Sequence, residues 1–89
     1  MPDRSEPVRI DRWLWAARLA KTRALAVEAL KGGRVAINGQ GAKPSKEVRP
    51  GDRVEVSFGP VRLSVVVRAT ALRRGPASEA ALLYEETAE

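Results

Sequence analysis

The fold turns on the stretch from Arg9 to Lys46, RIDRWLWAARLAKTRALAVEALKGGRVAINGQGAKPSK. Nine bases (Arg9, Arg12, Arg18, Lys21, Arg23, Lys31, Arg34, Lys43, Lys46) face two acids (Asp11, Glu28), a net charge of +7. Between Arg9 and Leu19 the apolar residues Ile10, Trp13, Leu14 and Ala17 recur at i, i+3, i+4 and i+7, which predicts an amphipathic helix. At about 100° per residue, Arg9 and Arg18 fall on opposite edges of its apolar stripe, with Arg12 beyond the Arg9 edge. Long basic side chains there can lay their stems on the core and carry their charge outward. Trp15 projects away from the stripe, so either another segment covers it or it stacks on a base. Coverage by the chain's own tail is the expectation, because large exposed aromatics are uncommon.

Ala20 and Lys21 read as a short connection, and Thr22 as the N-cap of a second helix from Arg23 to Lys31. Leu25, Ala26, Ala29 and Leu30 form its stripe, and Gly32 or Gly33 ends it by taking a left-handed conformation. The helix N-terminus also offers N–H groups and a positive dipole end to a phosphate, although capping alone is sufficient reason for Thr22. Asp11 lies in the first turn of the first helix, where a carboxylate suits the dipole and can brace neighbouring arginines.

From Arg34 the apolar period becomes two. Val35 and Ile37 predict a short strand, and Asn38-Gly39 a tight turn in which both residues tolerate positive φ. The segment QGAKPSKEV is expected to be a loop carrying Lys43 and Lys46, and Pro50-Gly51-Asp52 a type II turn. Val54, Val56 and Phe58 then alternate as one strand; after a Gly59-Pro60 turn, Val61, Leu63, Val65, Val67 and Ala69 alternate as a longer partner. The expected class is α+β, a short helix pair packed on a small, mostly antiparallel, twisted sheet. Residues 1–7 read as a disordered lead-in, 8–72 as the domain, and 73–89 as an acidic tail in which Ser78 caps a short helix containing Leu82, Leu83 and Tyr84. The acids of that tail either fold back on the body or stay solvated.

Eighty-nine residues suit one small domain. With no Cys and no His, the chain lacks disulfides, thiolates, imidazole bases and the usual transition-metal ligands, and no phosphate-loop or dinucleotide fingerprint is present. Asp11 and Asp52 both have structural explanations, so the reading is non-catalytic, without cofactor or metal. Apolar runs are short and broken by charge, which points to a soluble cytoplasmic protein away from membranes. All sixteen bases and seven acids lie in residues 1–74, and four acids in 75–89, so the body carries +9 and the tail −4. Such a body suits a polyanion, because neutralising phosphates releases counterions whatever the sequence. Weak non-specific DNA binding is expected on the same ground. No large apolar interface is legible, so a monomer is expected.

Several tokens resemble the ribosomal protein S-four-type RNA-binding domain and its αL-type motif, a family that includes domains of pseudouridine synthases and tyrosyl-tRNA synthetases. They are Arg9-Ile10-Asp11-Arg12-Trp13-Leu14, Lys21-Thr22-Arg23 with Ala26, Gly33-Arg34-Val35 with Ile37-Asn38-Gly39, Lys43 with Ser45, and Val48 with Pro50-Gly51-Asp52. Their order and spacing carry the likeness. RIDRWLWAARLAKTRALA and RGPASEAALLYEETAE further resemble stand-alone bacterial stress members of that family. The resemblance implies binding to a free large ribosomal subunit that still holds a nascent chain on tRNA, and a role in recycling it under heat stress. Ribosomal RNA would be the partner, with peptidyl-tRNA as a second candidate contact. Carried over by position, the implied RNA face comprises Arg9, Arg12, Arg18, Lys21, Thr22, Arg23, Lys31, Arg34, Asn38, Lys43 and Lys46, with Trp15 as the stacking candidate. Their roles would be phosphate and sugar contacts on RNA recognised by shape. Two other classes stay open: the targeting domain of an RNA-modifying enzyme, against which the short remainder of the chain argues, and a protein interaction module using the basic face on acidic partners.

Overall fold

The computed structural model describes residues 6–70 and 75–87. Residues 1–5 of the expected lead-in over 1–7, the boundary at 72–73 with Arg73 and Arg74, and residues 88–89 lie outside the described residues. In chain order the elements are β1 (Val8–Arg9), α1 (Ile10–Ala16), α2 (Arg23–Lys31), β2 (Val35–Ile37), β3 (Gln40–Gly41), β4 (Glu47–Val48), β5 (Arg53–Phe58), β6 (Val61–Val67), α3 (Ala77–Ala80), a 3-10 turn (Ala81–Leu83) and β7 (Tyr84–Glu86). The class is α+β, with the helix pair packed on one face of an antiparallel five-stranded sheet of order β3-β2-β5-β6-β7.

The sheet follows from alternation. Val35 and Ile37 of β2, Val54 and Val56 of β5, and Val65 and Val67 of β6 all point to the helices and are buried. Register locks them side by side, Val35 opposite Val56, Ile37 opposite Val54, and Val54 opposite Val65. A slip of one residue would turn each strand's valines to water, so burial fixes the register. Asn38 and Gly39 close the β2–β3 hairpin with φ of 52° and 85°, the left-handed pair that a two-residue turn requires. The Asn38 side chain also ties this turn to β5, its Oδ1 accepting from the Arg53 N–H at 2.9 Å and its Nδ2 donating to Asp52 Oδ1 at 3.3 Å. Gly51, at φ 99°, occupies the third position of the turn from Arg49 to Asp52, which the Asp52 N–H closes onto the Arg49 carbonyl at 3.1 Å.

On the helix side, Ile10, Trp13, Leu14, Ala16 and Ala17 pack with Ala26 and Leu30 against the valines. The first helix is shorter than the expected Arg9–Leu19. At its start Arg9 is extended and joins β1, which pairs with β4 in a small second sheet, Arg9 opposite Glu47. At its end the Arg18 N–H donates to the Trp15 carbonyl and the Leu19 N–H to the Leu14 carbonyl, a Schellman closure with Arg18 at φ 61° where a glycine is usual. The second helix keeps its expected bounds. Thr22 Oγ1 accepts from the Leu25 N–H at 3.0 Å, and Gly33 at φ 74° closes the other end in the same Schellman pattern. Leu25 does not join the apolar stripe: it is 48% exposed, because Ala26 and Leu30 are the residues turned to the core.

The tail departs most from expectation. Pro76, not Ser78, precedes α3, and Ser78 lies inside that helix. Tyr84 is not helical; at φ −148° and ψ 164° it begins β7, which adds to the sheet edge with Tyr84 opposite Val67. The N–H groups of Arg68 and Ala69 both donate to the Leu83 carbonyl, and buried Leu83 and the Tyr84 ring provide the hydrophobic reason for the turn back. Among the described residues an acid of the tail meets the body where Arg68 pairs with Glu85. Likewise β6 ends at Val67 rather than Ala69, whose carbonyl accepts instead from the Trp13 indole N–H at 3.0 Å. The stretch expected to be a plain loop also contains β3 and β4.

Candidate nucleic-acid interface

The expected RNA-facing residues divide into four places. The densest lies where the first turns of both helices converge. There Asp11, only 2% exposed by its side chain, takes Arg9 Nη2 on Oδ2 at 3.1 Å and Arg23 Nη2 on Oδ1 at 3.5 Å. The guanidinium-bearing side chains stay 50% and 38% exposed, so each has N–H donors left for solvent or a ligand. The Arg12 amide also donates to Asp11 Oδ1, at 2.7 Å, and the Arg12 residue is half-buried. Lys21 and Thr22 immediately precede Arg23 and are exposed. Thr22 Oγ1 is occupied as a cap acceptor, while its own proton remains a donor.

The lysine loop reaches the same end of the molecule through its backbone. The Ile10 N–H donates to the Lys46 carbonyl at 2.7 Å and the Asp11 N–H to the Pro44 carbonyl at 3.4 Å, while the Lys46 N–H closes a turn onto the Lys43 carbonyl at 3.0 Å. The first orphan donors of α1 are thereby satisfied by loop carbonyls, and exposed Lys43 and Lys46 are held beside Arg9. Arg9, Arg12, Lys21, Thr22, Arg23, Lys43 and Lys46 thus come from β1, α1, α2 and the loop before β4 to one region. Its chemistry is donation of charge-assisted hydrogen bonds to an anion, with no nucleophile paired to a base.

The remaining expected residues lie elsewhere. Lys31 is exposed at the far end of α2, about 12 Å along the helix axis from Arg23 at 1.5 Å per residue, and Arg34 follows it. Asn38 serves the hairpin described above. Arg18, at the opposite end of α1, donates Nε and Nη2 to the Gly75 carbonyl at 3.2 and 2.9 Å, clasping the tail. Trp15 is half-buried, whereas Trp13 is fully buried and meets Tyr84 edge-on. Exposed bases outside the expected set include Arg49, in the turn after β4, and Arg62, on β6. Only the turn signal around Arg49 marked either of them, and that signal speaks of fold. Among the described residues no helix is long and apolar enough to cross a membrane.

The chain belongs to the S4 domain family, whose model matches residues 8–54. Within that family its similarity is to heat shock protein 15. It is 56% identical over 82 residues to heat shock protein 15 of Escherichia coli strain K12, covering 92% of this chain and 62% of that protein's length. The solved trimeric structure of heat shock protein 15 from Vibrio cholerae superposes with a TM-score of 0.88 at 46% identity, covering 93% of this chain and 84% of the other. The chain is also 45% identical over 60 residues to the RQC P-site tRNA stabilizing factor of Bacillus subtilis, covering 67% of this chain and 70% of that protein.

Proposed function

We propose that this chain is a non-catalytic RNA-binding factor of the ribosome. Its partner is the large subunit that still holds a nascent chain on tRNA, and its role is to help recycle that subunit under heat stress. The observation that carries this reading is the convergence of Arg9, Arg23, Lys21, Lys43 and Lys46 at one end of a helix pair inside the matched S4 segment. Cations fixed on short elements suit the phosphates of folded RNA, where shape rather than base identity is read. The name of the Bacillus subtilis relative, a stabilizer of P-site tRNA, supports tRNA as part of the complex recognised. DNA would be bound weakly through the same phosphates, and the place of action is the cytoplasm, where ribosomes are.

Co-sedimentation tests this directly. The protein is mixed with vacant large subunits, with large subunits carrying peptidyl-tRNA, and with intact ribosomes. It is expected to pellet most strongly with the loaded subunits. Equal recovery in all three pellets would contradict the rescue role, and absence from all three would contradict ribosome binding. Sedimentation equilibrium of the free protein distinguishes a single chain from the trimer described for the Vibrio cholerae relative.

A further inference from the structure

We propose that Asp11 is the positioning residue of the RNA face: its buried carboxylate holds Arg9 and Arg23 together before any RNA arrives. This rests on the RNA-binding reading above and assigns an acid to a site otherwise described by its bases.

The geometry has an unusual sign. An acid at a phosphate-binding surface subtracts attraction, and the cluster of Arg9, Arg23 and Asp11 carries a net +1 where the two arginines alone would carry +2. Yet Asp11 is almost wholly enclosed, and its carboxylate points to the two guanidinium groups and to the Arg12 amide. Those partners come from β1, α1 and α2, so the carboxylate fastens three elements at one point. Without it, two long like-charged side chains would repel and sample many rotamers. Fixing such side chains is a cost that binding must otherwise meet. With Asp11 each arginine spends one donor on the acid and retains further N–H groups in a fixed orientation. The Asp11 backbone contributes as well, its N–H on the Pro44 carbonyl holding the lysine loop beside the pair.

Charge counting and positioning therefore give opposite expectations for Asp11→Asn. Removing a negative charge beside the phosphates should tighten binding if net charge decides. If positioning decides, affinity should fall about tenfold, the scale of re-ordering two rotamer-rich side chains. The slope of log K against log salt should stay near that of the wild type, since the number of phosphates contacted is unchanged. Removing the arginines themselves should instead flatten that slope.

The test is a titration of large-subunit rRNA with wild type, Asp11→Asn, the double variant Arg9→Ala/Arg23→Ala, and the triple combination, at several salt concentrations. Weaker binding by Asp11→Asn at an unchanged slope, with no added effect in the double-variant background, is the expected result. Unchanged or tighter binding by Asp11→Asn overturns the positioning role and leaves RNA binding standing. No binding by the wild type overturns the RNA reading and this inference with it. A second measurement needs no variant: in the free wild type, the guanidinium NMR signals of Arg9 and Arg23 should show restricted motion relative to exposed Arg62. Equal averaging in all three would likewise overturn the proposal.

Discussion

Replacing Trp13 with Ala should cost about 3–5 kcal/mol, the range for truncating a fully buried Trp, and leave this domain at the edge of folding. Trp13 is 0% exposed and sits between the helix pair and the tail end of the sheet. Its loss opens a cavity, removes the edge-on contact with Tyr84 at 6.5 Å between ring centroids, and strips the Ala69 carbonyl of its indole donor. A small domain has about 5–15 kcal/mol in total, so the loss is a large share. At about 4–8 °C per kcal/mol, the melting temperature should fall by more than about 12 °C. Trp13→Phe keeps most of the volume and forfeits mainly the hydrogen bond, so it should cost less than half as much. Thermal or urea unfolding by circular dichroism checks both, and a Trp13→Ala melt within a few degrees of wild type would contradict the placement.

The second large effect concerns RNA. Lys21, Lys43 and Lys46 are exposed and approach one region from two segments of the chain, and no hydrogen bond or ion pair among the described residues engages their ammonium groups. Changing all three to Ala should lower the melting temperature far less than Trp13→Ala does, because isolated surface changes lie within about 0.5 kcal/mol each. Binding to rRNA should fall on the order of a hundredfold at moderate salt, with the log–log salt slope reduced by about three, one per lost phosphate contact. Filter binding across a salt series reads both quantities. Replacing Arg62, on β6, serves as the comparison and should change the slope little.

Much of this arrangement was legible in the residues themselves. The change of period from 3.6 to two, Thr22 before a helix, Gly32-Gly33 after it and Asn38-Gly39 between strands are local signals, and each was expressed locally. What was not legible depended on contacts remote in sequence. Arg9 became a strand because Glu47 pairs with it, and Arg18 took a left-handed conformation without being glycine or asparagine. The tail ALLYEE carries no alternation that announces a strand. Tyr84 turned into β7 because the edge of β6 and the Trp13 ring were there to receive it.

The candidate site was legible as a charge block but not as a geometry. Counting bases placed Arg18 and Arg23 in one set, whereas the chain uses Arg18 to clasp Gly75 and pairs Arg23 with Asp11. Likewise Asn38 has a turn and a strand to hold, which a list of polar residues does not reveal. Net charge says that a polyanion fits; the positions of Asp11, Pro44 and Lys46 say which bases are held together.

RNA is expected to be met at the end of the molecule where the two helices begin. The most direct measurement is a set of backbone amide NMR spectra recorded as large-subunit rRNA is added. Signal changes are expected to concentrate in residues 9–12, 21–25 and 43–47, with β6 and β7 little affected. Changes centred on the outer face of β5 and β6 or on the tail, with the helix starts silent, would contradict it.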